Sequence, residues 1–443
     1  MTTPKPSPPK KRPPARLGPR PLPLHLAAAA TNWASSPLGF QLLKNNSPIW
    51  SPNLQKRAES LRKQLENVEA EPFFFALQAE GVRRMQRFLD GVLAYRDYPG
   101  HRDLIDPPAI WTEGGSRLLD YGATEDIAPN KPSKKSSAKG AATPLLVIPS
   151  LVNRYQVLDL CEDHSLMRYL TANGIHPLLL DWGTPGTEER NYSLTDYIAG
   201  RLSRALDAAL DIFGQPPVVL GYCMGGLLAL ALARLREKDI SALVLMATPW
   251  DFHAERTQQA LLAASALDGP LGLFIDQMGE LPVDILQSLF AGLDPLGSAH
   301  KFSRFADIAR HETDEKPHKP HSADVFAYLE DWLNDGVPLT GPVARECLAG
   351  WYGRNEPGLG NWHIAGKAIR PQEISLPALV MVPEQDRIVP PASALALGEA
   401  LPRSEILRPP LGHIGMAVSS RATETCWTPL ADWIRAQNPP KSQ

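Results

Sequence analysis

One cysteine of this chain lies in a turn whose sequence suits a catalytic nucleophile. Residues 221–226 read Gly-Tyr-Cys-Met-Gly-Gly, with Cys223 inside the turn, an apolar run before it (217–220) and another after it (227–232). This pattern predicts a buried strand, a sharp turn and a helix. Glycine is needed two positions to either side because a side chain there would collide with neighbouring backbone, and the start of a helix favours a thiolate. We therefore interpret Cys223 as a nucleophile; the alternative interpretation is a buried structural cysteine.

A thiol nucleophile needs a general base, and the base needs a group that orients it. Asp386 follows the apolar run 376–382, at the end of a predicted strand, which is where open α/β sheets place their functional groups. His413 follows a further apolar stretch, lies on a turn between glycines and is the last histidine of the chain. The order nucleophile, acid, histidine resembles that of α/β-hydrolases. Cys223, Asp386 and His413 are therefore the predicted catalytic residues.

Acyl transfer also needs backbone N–H groups that stabilise the negative oxygen of the tetrahedral intermediate. One such donor usually belongs to the residue after the nucleophile, which is Met224 here. The second comes from the loop after the predicted strand 145–149, where topology leaves Leu151 or Val152. We predict an oxyanion hole formed by Met224 and Val152, with Leu151 as the alternative to Val152.

Strands and helices alternate along the part of the chain that carries these residues. Amphipathic helical patterns, such as 165–173 and 194–213, separate continuous apolar runs. The runs lie at 145–149, 177–182, 217–220 and 242–247. Continuous apolar strands between helices indicate a parallel sheet that is buried on both faces. The predicted class is α/β: an α/β-hydrolase fold with a mostly parallel sheet, helices on both faces and a cap insertion before the last strands.

Composition and pattern divide the chain into five predicted regions. They are a disordered leader rich in Pro, Lys and Arg (1–34), an N-terminal helical region (35–108), the first part of the core with the nucleophile turn (109–253), a cap or lid insertion (254–370) and the C-terminal part of the core (371–443). Residues 128–142 are of low complexity and predict a surface loop. Residues 24–30 are apolar but short and contain a histidine, which argues against a signal peptide.

The composition argues against several other classes of protein. The 443 residues include 45 Lys and Arg against 48 Asp and Glu, a balance that does not favour nucleic acid as a partner. The four cysteines show no CxxC or Cys/His spacing, so we expect neither disulfides nor a zinc site. The spacing of His311, His318 and His321 matches no common metal site. No run approaches the ~18 apolar residues of a membrane span. We therefore predict no transmembrane segment and no metal site.

Further sequence blocks lie around these residues, at 149–160 (PSLVNRYQVLDL), 165–170 (SLMRYL), 180–183 (LDWG), 248–252 (TPWDF), 386–391 (DRIVPP) and 412–415 (GHIG). Together they closely resemble the polyhydroxyalkanoate synthases, and within them the short, class III-type catalytic subunits. The resemblance extends from about residue 75 to residue 435. The nucleophile turn alone also resembles dienelactone hydrolases, which are smaller, lack a cap and do not share the other blocks. Arg387 stands where the synthases usually have a histidine.

The resemblance implies that the chain polymerises (R)-3-hydroxyacyl-CoA with release of CoA. Cys223 would accept the acyl group, His413 would deprotonate Cys223 and later activate the hydroxyl of the chain, and Asp386 would orient His413 or assist that hydroxyl. It also implies a reaction that needs no metal or cofactor, since acyl-CoA is the substrate. The partners implied are the growing polyester, and a second copy of the chain or an accessory synthase subunit. The place implied is the cytoplasm, at the surface of polymer granules.

Two other functions are compatible with the same residues. A cytosolic acyl-CoA thioesterase or esterase would let water, instead of a hydroxyacyl chain, reach the acyl-cysteine. A granule-associated or scaffolding protein would keep the fold without catalysis, although folding does not require Cys223, Asp386 and His413 at their positions. A cysteine favours acyl transfer over hydrolysis, because its thioester keeps the acyl group activated toward a second nucleophile and exchanges with CoA at nearly balanced energy.

Overall fold

The computed structural model describes residues 16–45, 52–122, 142–255, 257–311 and 322–437, which form two compact units. The first, called the helical unit here, contains the described residues up to 100 together with 294–311 and 322–334. The second, called the α/β unit, contains the described residues from 101 to 293 and from 335 to 437. The predicted low-complexity loop lies almost wholly outside the described residues, as do His318 and His321.

The helices of the described ranges are α1 (Leu22–Ala34), α2 (Ser36–Lys44), α3 (Pro52–Gln64), α4 (Ala70–Asp97), α5 (Leu166–Ala172), α6 (Ser203–Phe213), α7 (Met224–Arg236), α8 (Thr257–Ser265), α9 (Pro270–Met278), α10 (Val283–Ala291), α11 (Gly297–His311), α12 (Ser322–Asn334), α13 (Gly341–Arg345), α14 (Pro391–Ala400), α15 (Gly415–Val418) and α16 (Thr428–Ala436). Three stretches are π-helical: Asp196–Leu202, Glu346–Gly353 and Thr423–Trp427.

The strands of the same ranges are β1 (Ala109–Glu113), β2 (Ser116–Asp120), β3 (Thr143–Ile148), β4 (Asp159–Cys161), β5 (His164–Ser165), β6 (Ile175–Asp181), β7 (Val218–Tyr222), β8 (Ala242–Met246), β9 (Glu280–Leu281), β10 (Leu339–Thr340), β11 (His363–Ile364), β12 (Lys367–Ala368), β13 (Ala378–Met381) and β14 (Ser404–Leu407).

Eight of these strands form the central sheet of the α/β unit, in the order β1-β2-β6-β3-β7-β8-β13-β14. β1 pairs antiparallel with β2, and β2 antiparallel with β6, whereas every later pair in the order is parallel. β3, β7 and β8 are buried along their whole length, as expected for central strands of a parallel sheet. The predicted mostly parallel sheet is confirmed.

One local prediction, the helix 194–213, is confirmed, and another differs from the structure. The amphipathic pattern 194–213 forms a π-helical stretch that continues into α6, and α6 ends at Gly214, whose φ of 64° is favourable for glycine. The predicted disordered leader 1–34 is wrong for Leu22–Ala34, which is α1, while residues 1–15 lie outside the described ranges. Prolines dominate the composition of the leader, but a proline in the first turn does not oppose a helix. The alanines that follow favour it, and Ala29 is fully buried.

The helical unit is built around the crossing of α4 and α11. A Cβ on Gly91 of α4 would lie 1.9 Å from the carbonyl oxygen of Phe302 of α11, so the two backbones approach more closely than a side chain would allow. Phe302 and Phe88 are fully buried at this crossing. An ion pair of 2.7 Å joins Lys301 to the buried Glu330 of α12. The unit therefore combines helices that lie far apart in sequence.

The insertion between β8 and β13 contains α8 to α13 and the short strands β9 to β12. The predicted cap, 254–370, is divided between the two compact units, because residues 294–311 and 322–334 group with the helical unit. Its role as a lid stays a prediction. Among the described helices, none combines the length and the apolarity that crossing a membrane requires.

Candidate active site

Cys223 lies between the end of β7 and the start of α7, in a backbone conformation that is rare for a residue with a side chain. Its φ is 55° and its ψ is −124°. Its N–H donates to the carbonyl oxygen of Met246 in β8 at 2.8 Å, and its carbonyl oxygen accepts from the N–H of Gly226 at 2.9 Å. Cys223 is partly exposed. The turn therefore lifts the side chain out of the sheet and leaves it accessible, as a nucleophile requires.

The glycines around this turn are required by close contacts. A Cβ on Gly221 would lie 2.4 Å from the carbonyl oxygen of Gly225. A Cβ on Gly225 would lie 2.1 Å from the carbonyl oxygen of Ile148, at the end of β3. A Cβ on Gly226 would lie 1.8 Å from the hydroxyl oxygen of Thr248. Since no Cβ fits at these distances, the Gly-Tyr-Cys-Met-Gly-Gly sequence reflects how tightly the turn packs against neighbouring strands.

Asp386 lies in the loop after β13 and is held by backbone. Its Oδ1 accepts hydrogen bonds from the N–H groups of Ile388 at 2.7 Å and Val389 at 2.9 Å. Its Oδ2 lies 2.7 Å from Nδ1 of His413. The side chain of Asp386 is completely buried. One carboxylate oxygen is thus fixed by the loop, and the other is aimed at the imidazole ring.

His413 lies in the loop between β14 and α15, with 7% of the residue exposed. Its Nδ1 hydrogen-bonds to Asp386 at 2.7 Å, so Nε2 is the ring nitrogen left for another partner. Burial alone would lower the pKa of His413. The electrostatic interaction with Cys223 and the hydrogen bond to Asp386 outweigh burial and raise that pKa above its ordinary value. Tyr222 supports this loop, because its hydroxyl donates to the carbonyl oxygen of His413 at 3.2 Å.

The structure thus brings together the three residues predicted to be catalytic. Cys223, His413 and Asp386 come from loops after β7, β14 and β13, and these loops all leave the sheet at the carboxyl ends of parallel strands. An imidazole between a thiol and a buried carboxylate can accept the thiol proton while the carboxylate stabilises the resulting imidazolium. This arrangement can generate a thiolate–imidazolium pair.

The predicted oxyanion donors lie on two adjacent segments. Met224 begins α7, so its N–H has no acceptor within the helix. The loop after β3 passes beside the same helix end, as the contact between Gly225 and Ile148 shows. In that loop the N–H of Val152 donates to Oγ of Ser150 at 3.3 Å, which is a long hydrogen bond. The roles of Met224 and Val152, or of Leu151, stay predictions.

The sequence block 149–160 contains a buried carboxylate, Asp159, that has a structural role. Asp159 is fully buried, and its carboxylate accepts hydrogen bonds from Ser165 at 2.6 Å, from Nε of Arg168 at 2.8 Å and from the hydroxyl of Tyr121 at 3.0 Å. This network fixes the start of α5. Sequence patterns alone do not distinguish such buried ionic networks from catalytic sites, because both have charged residues next to strands.

The other three cysteines differ from Cys223 in their surroundings. Cys161, Cys347 and Cys426 are buried, and burial raises the pKa of the Cys161 and Cys426 thiols to about 12. A protonated, buried thiol is a poor nucleophile. In the ranges that the structure describes, no group of three or more His, Cys, Asp or Glu residues is arranged to hold a metal ion.

Comparison with known proteins identifies the family. The model of the alpha/beta hydrolase fold family matches residues 143–419. The poly(3-hydroxyalkanoate) polymerase subunit PhaC of Allochromatium vinosum is 28% identical over 339 residues, which cover 76% of this chain and 92% of that protein. The subunit of the same name from Synechocystis sp. is 31% identical over 300 residues, covering 66% and 77% of the two chains. That of Thiocystis violacea is 29% identical over 334 residues, covering 74% and 88%. This chain is therefore a member of the poly(3-hydroxyalkanoate) polymerase family, within the α/β-hydrolase superfamily.

Proposed function

We propose that the chain is an acyltransferase that polymerises (R)-3-hydroxyacyl-CoA through a thioester on Cys223. The observation that carries the proposal is the hydrogen bond of 2.7 Å between Nδ1 of His413 and the Asp386 carboxylate, at the edge of the sheet where Cys223 also lies. Family membership supports the substrate class. The sulfur supports transfer over hydrolysis, because a thioester intermediate stays reactive toward a hydroxyl.

In the first step the Cys223 thiolate attacks the thioester carbonyl of the substrate. The carbonyl oxygen becomes negative and is stabilised by the N–H of Met224 and by a second N–H, from Val152 or Leu151. The bond between the carbonyl carbon and the CoA sulfur then breaks. The protonated His413 gives its proton to that sulfur, so CoA leaves as the thiol and the acyl group stays on Cys223.

In the second step the 3-hydroxyl of another hydroxyacyl group attacks the carbonyl carbon of the acyl-cysteine. His413 accepts the hydroxyl proton, and Asp386 stabilises the imidazolium that forms. An ester bond replaces the thioester bond, and the Cys223 thiolate is regenerated. Each cycle adds one hydroxyacyl unit to the polyester and releases one CoA.

The reaction as proposed uses no metal and no cofactor, since the acyl group arrives already activated. The predicted partners are the growing polyester chain and either a second copy of this chain or an accessory synthase subunit. The predicted location is the cytoplasm, at the surface of polymer granules. These remain proposals, as does the movement of residues 254–370 as a lid.

The test uses purified protein and (R)-3-hydroxybutyryl-CoA, followed by longer (R)-3-hydroxyacyl-CoA substrates. Released CoA is quantified by chromatography, and solvent-extracted polymer is weighed against free hydroxy acid. We expect polymer in step with CoA from the wild type and neither product from Cys223→Ala, which should keep the wild-type circular dichroism spectrum.

Three outcomes would contradict the proposal. Free hydroxy acid in step with CoA would make the protein a thioesterase. Wild-type turnover by Cys223→Ala would exclude the thioester mechanism. Absence of CoA release with every chain length, both alone and with an added accessory subunit, would favour a non-catalytic role.

A further inference from the structure

The loop that follows β3 is paired with a segment of the insertion. We call residues 149–154 the oxyanion loop and residues 335–340 the clamp strand. Asn153 and Gly336 form an antiparallel bridge, and the N–H of Val337 donates to the carbonyl oxygen of Val152 at 3.0 Å. The residue predicted to supply the second oxyanion donor, Val152, is thus bonded to the insertion through its own carbonyl oxygen.

An ion pair continues this contact. Nε of Arg154 lies 2.6 Å from Oδ2 of Asp335, and Nη2 of Arg154 donates to Oγ1 of Thr184 at 3.2 Å. The side chains of Arg154 and Asp335 are 29% and 61% exposed. A pair this exposed adds little to the overall stability of a fold. Its geometry, however, joins the oxyanion loop to the clamp strand at the residue next to the β-bridge.

The clamp strand is itself held at its other end. Leu339–Thr340 pairs with Glu280–Leu281 as β10 and β9, and the hydroxyl of Thr340 donates to the carbonyl oxygen of Tyr192 at 2.7 Å. At the near end, a Cβ on Gly336 would lie 2.9 Å from a methyl carbon of Val283 in α10. The segment that supports the oxyanion loop is therefore fixed on both sides of Val337.

We propose that Arg154 and Asp335 are positioning residues, which hold the oxyanion loop at the distance from Cys223 that stabilises the tetrahedral intermediate. This inference rests on the proposed function of Cys223. An oxyanion donor acts only within about 2.7–3.1 Å of the oxygen it stabilises, and a shift of about 1 Å reduces a rate by about 100-fold. The ion pair between Arg154 and Asp335 thereby affects the rate at which the tetrahedral intermediate forms at Cys223.

The test compares two reactions of the same sulfur. Acylation of Cys223 by p-nitrophenyl butyrate passes through a negatively charged tetrahedral oxygen, and p-nitrophenolate release reports its rate. Alkylation by iodoacetamide is a displacement at a saturated carbon and forms no such oxygen. Intact-protein mass spectrometry measures both adducts, and Cys223→Ala shows which of them form at Cys223. A role in positioning the oxyanion loop predicts a change in acylation alone.

The variants are Arg154→Asp, Asp335→Arg and the double charge reversal, all in the full chain. We expect each single variant to acylate about 10-fold more slowly, with alkylation within about twofold of the wild type. The acylation rate of the double variant should return to within about threefold of the wild-type rate, because the ion pair reforms with its two charges exchanged. The control is Asp207→Arg, which breaks the 2.6 Å pair of Asp207 with Arg236, whose side chains are 54% and 28% exposed.

The results separate this inference from the proposed function. The positioning role would be overturned if both single variants acylated at the wild-type rate, or if their alkylation slowed as much as their acylation. It would also be overturned if the double variant showed no recovery of acylation, or if Asp207→Arg slowed acylation as much as the single variants do. A wild type that is alkylated at Cys223 but never acylated would overturn the proposed thioester mechanism, and the positioning role with it. Melting temperatures of all variants show whether a lost rate reflects lost fold.

Discussion

The substitution Asp386→Asn tests how much of the proposed chemistry depends on the orientation of His413. Asparagine has the shape of aspartate but carries no charge and presents an amino group in place of one oxygen. The N–H groups of Ile388 and Val389 both donate to Oδ1 of Asp386, so the amide oxygen of the variant must take that position. The amino group then faces Nδ1 of His413.

This orientation gives His413 the wrong tautomer for its role. Nδ1 must accept a hydrogen bond from the asparagine, so the proton moves to Nε2, which then cannot accept the proton of Cys223. Loss of a hydrogen bond to a charged group is worth about 1.5–3 kcal/mol, or about 10- to 150-fold in rate. The tautomer adds to this loss, as it does in serine proteases with the equivalent change. We therefore expect acylation to slow by at least about 100-fold.

The assay is the rate of p-nitrophenolate release in the first turnover, with iodoacetamide alkylation as a second measurement. Alkylation should also slow at neutral pH, because it requires the thiolate that His413 generates. The control is Asp251→Asn, since Asp251 accepts from the N–H of His253 at 2.9 Å and from Nδ2 of Asn355 at 2.8 Å. It removes a similarly bonded carboxylate from the same unit but leaves His413 unchanged. If Asp386→Asn acylated within threefold of the wild type, Asp386 would not orient His413.

Three further predictions concern stability and the insertion. Because the pKa of His413 is raised, its contribution to stability is full below its ordinary value of 6.5 and is lost as the pH rises through the higher folded-state value. Urea unfolding should thus show the wild type losing stability between pH 6.5 and about 10 relative to His413→Gln. In Cys223→Ala, which lacks the interaction that raises the pKa, this loss should be smaller and should end at lower pH. Parallel curves would contradict the raised pKa. Gly91→Ala should destabilise the helical unit by about 1–3 kcal/mol. The control is Gly39→Ala, which has open space around it and should stabilise α2 by about 0.5–1 kcal/mol. Equal thermal midpoints for the two variants would refute the close crossing of α4 and α11. Limited proteolysis within 254–370 should slow when a non-hydrolysable acyl-CoA analogue is bound, and unchanged cleavage would argue against a lid.

The sequence predicted the residues of the candidate site because each has a local signal. The glycines around Cys223 are set by contacts of the turn itself, and Asp386 and His413 follow strands whose apolar character is continuous. Parallel strands then place these loops at one edge of the sheet. Their proximity could be predicted from topology alone, whereas the hydrogen bonds from Ile388 and Val389 to Asp386 could not.

Features that depend on distant parts of the chain were not predicted. The clamp strand consists of short pairings with no alternation of apolar and polar residues, so no pattern marks it. The helical unit joins α4 to α11 and α12 through complementary surfaces, and helical periodicity gives the buried face of each helix but not its partner. Composition does not indicate α1, because the leader is rich in proline and only the position of Pro23 in the first turn makes that residue compatible with a helix.

The backbone of Cys223, with φ of 55°, is one that glycine adopts without strain. Any other residue in such a conformation raises the free energy of the folded state by about 1–3 kcal/mol. Cys223→Gly should therefore be inert and yet melt at a higher temperature than Cys223→Ala. Activity and thermostability oppose each other at this position, so a library screened for heat resistance alone would accumulate inactive protein at residue 223.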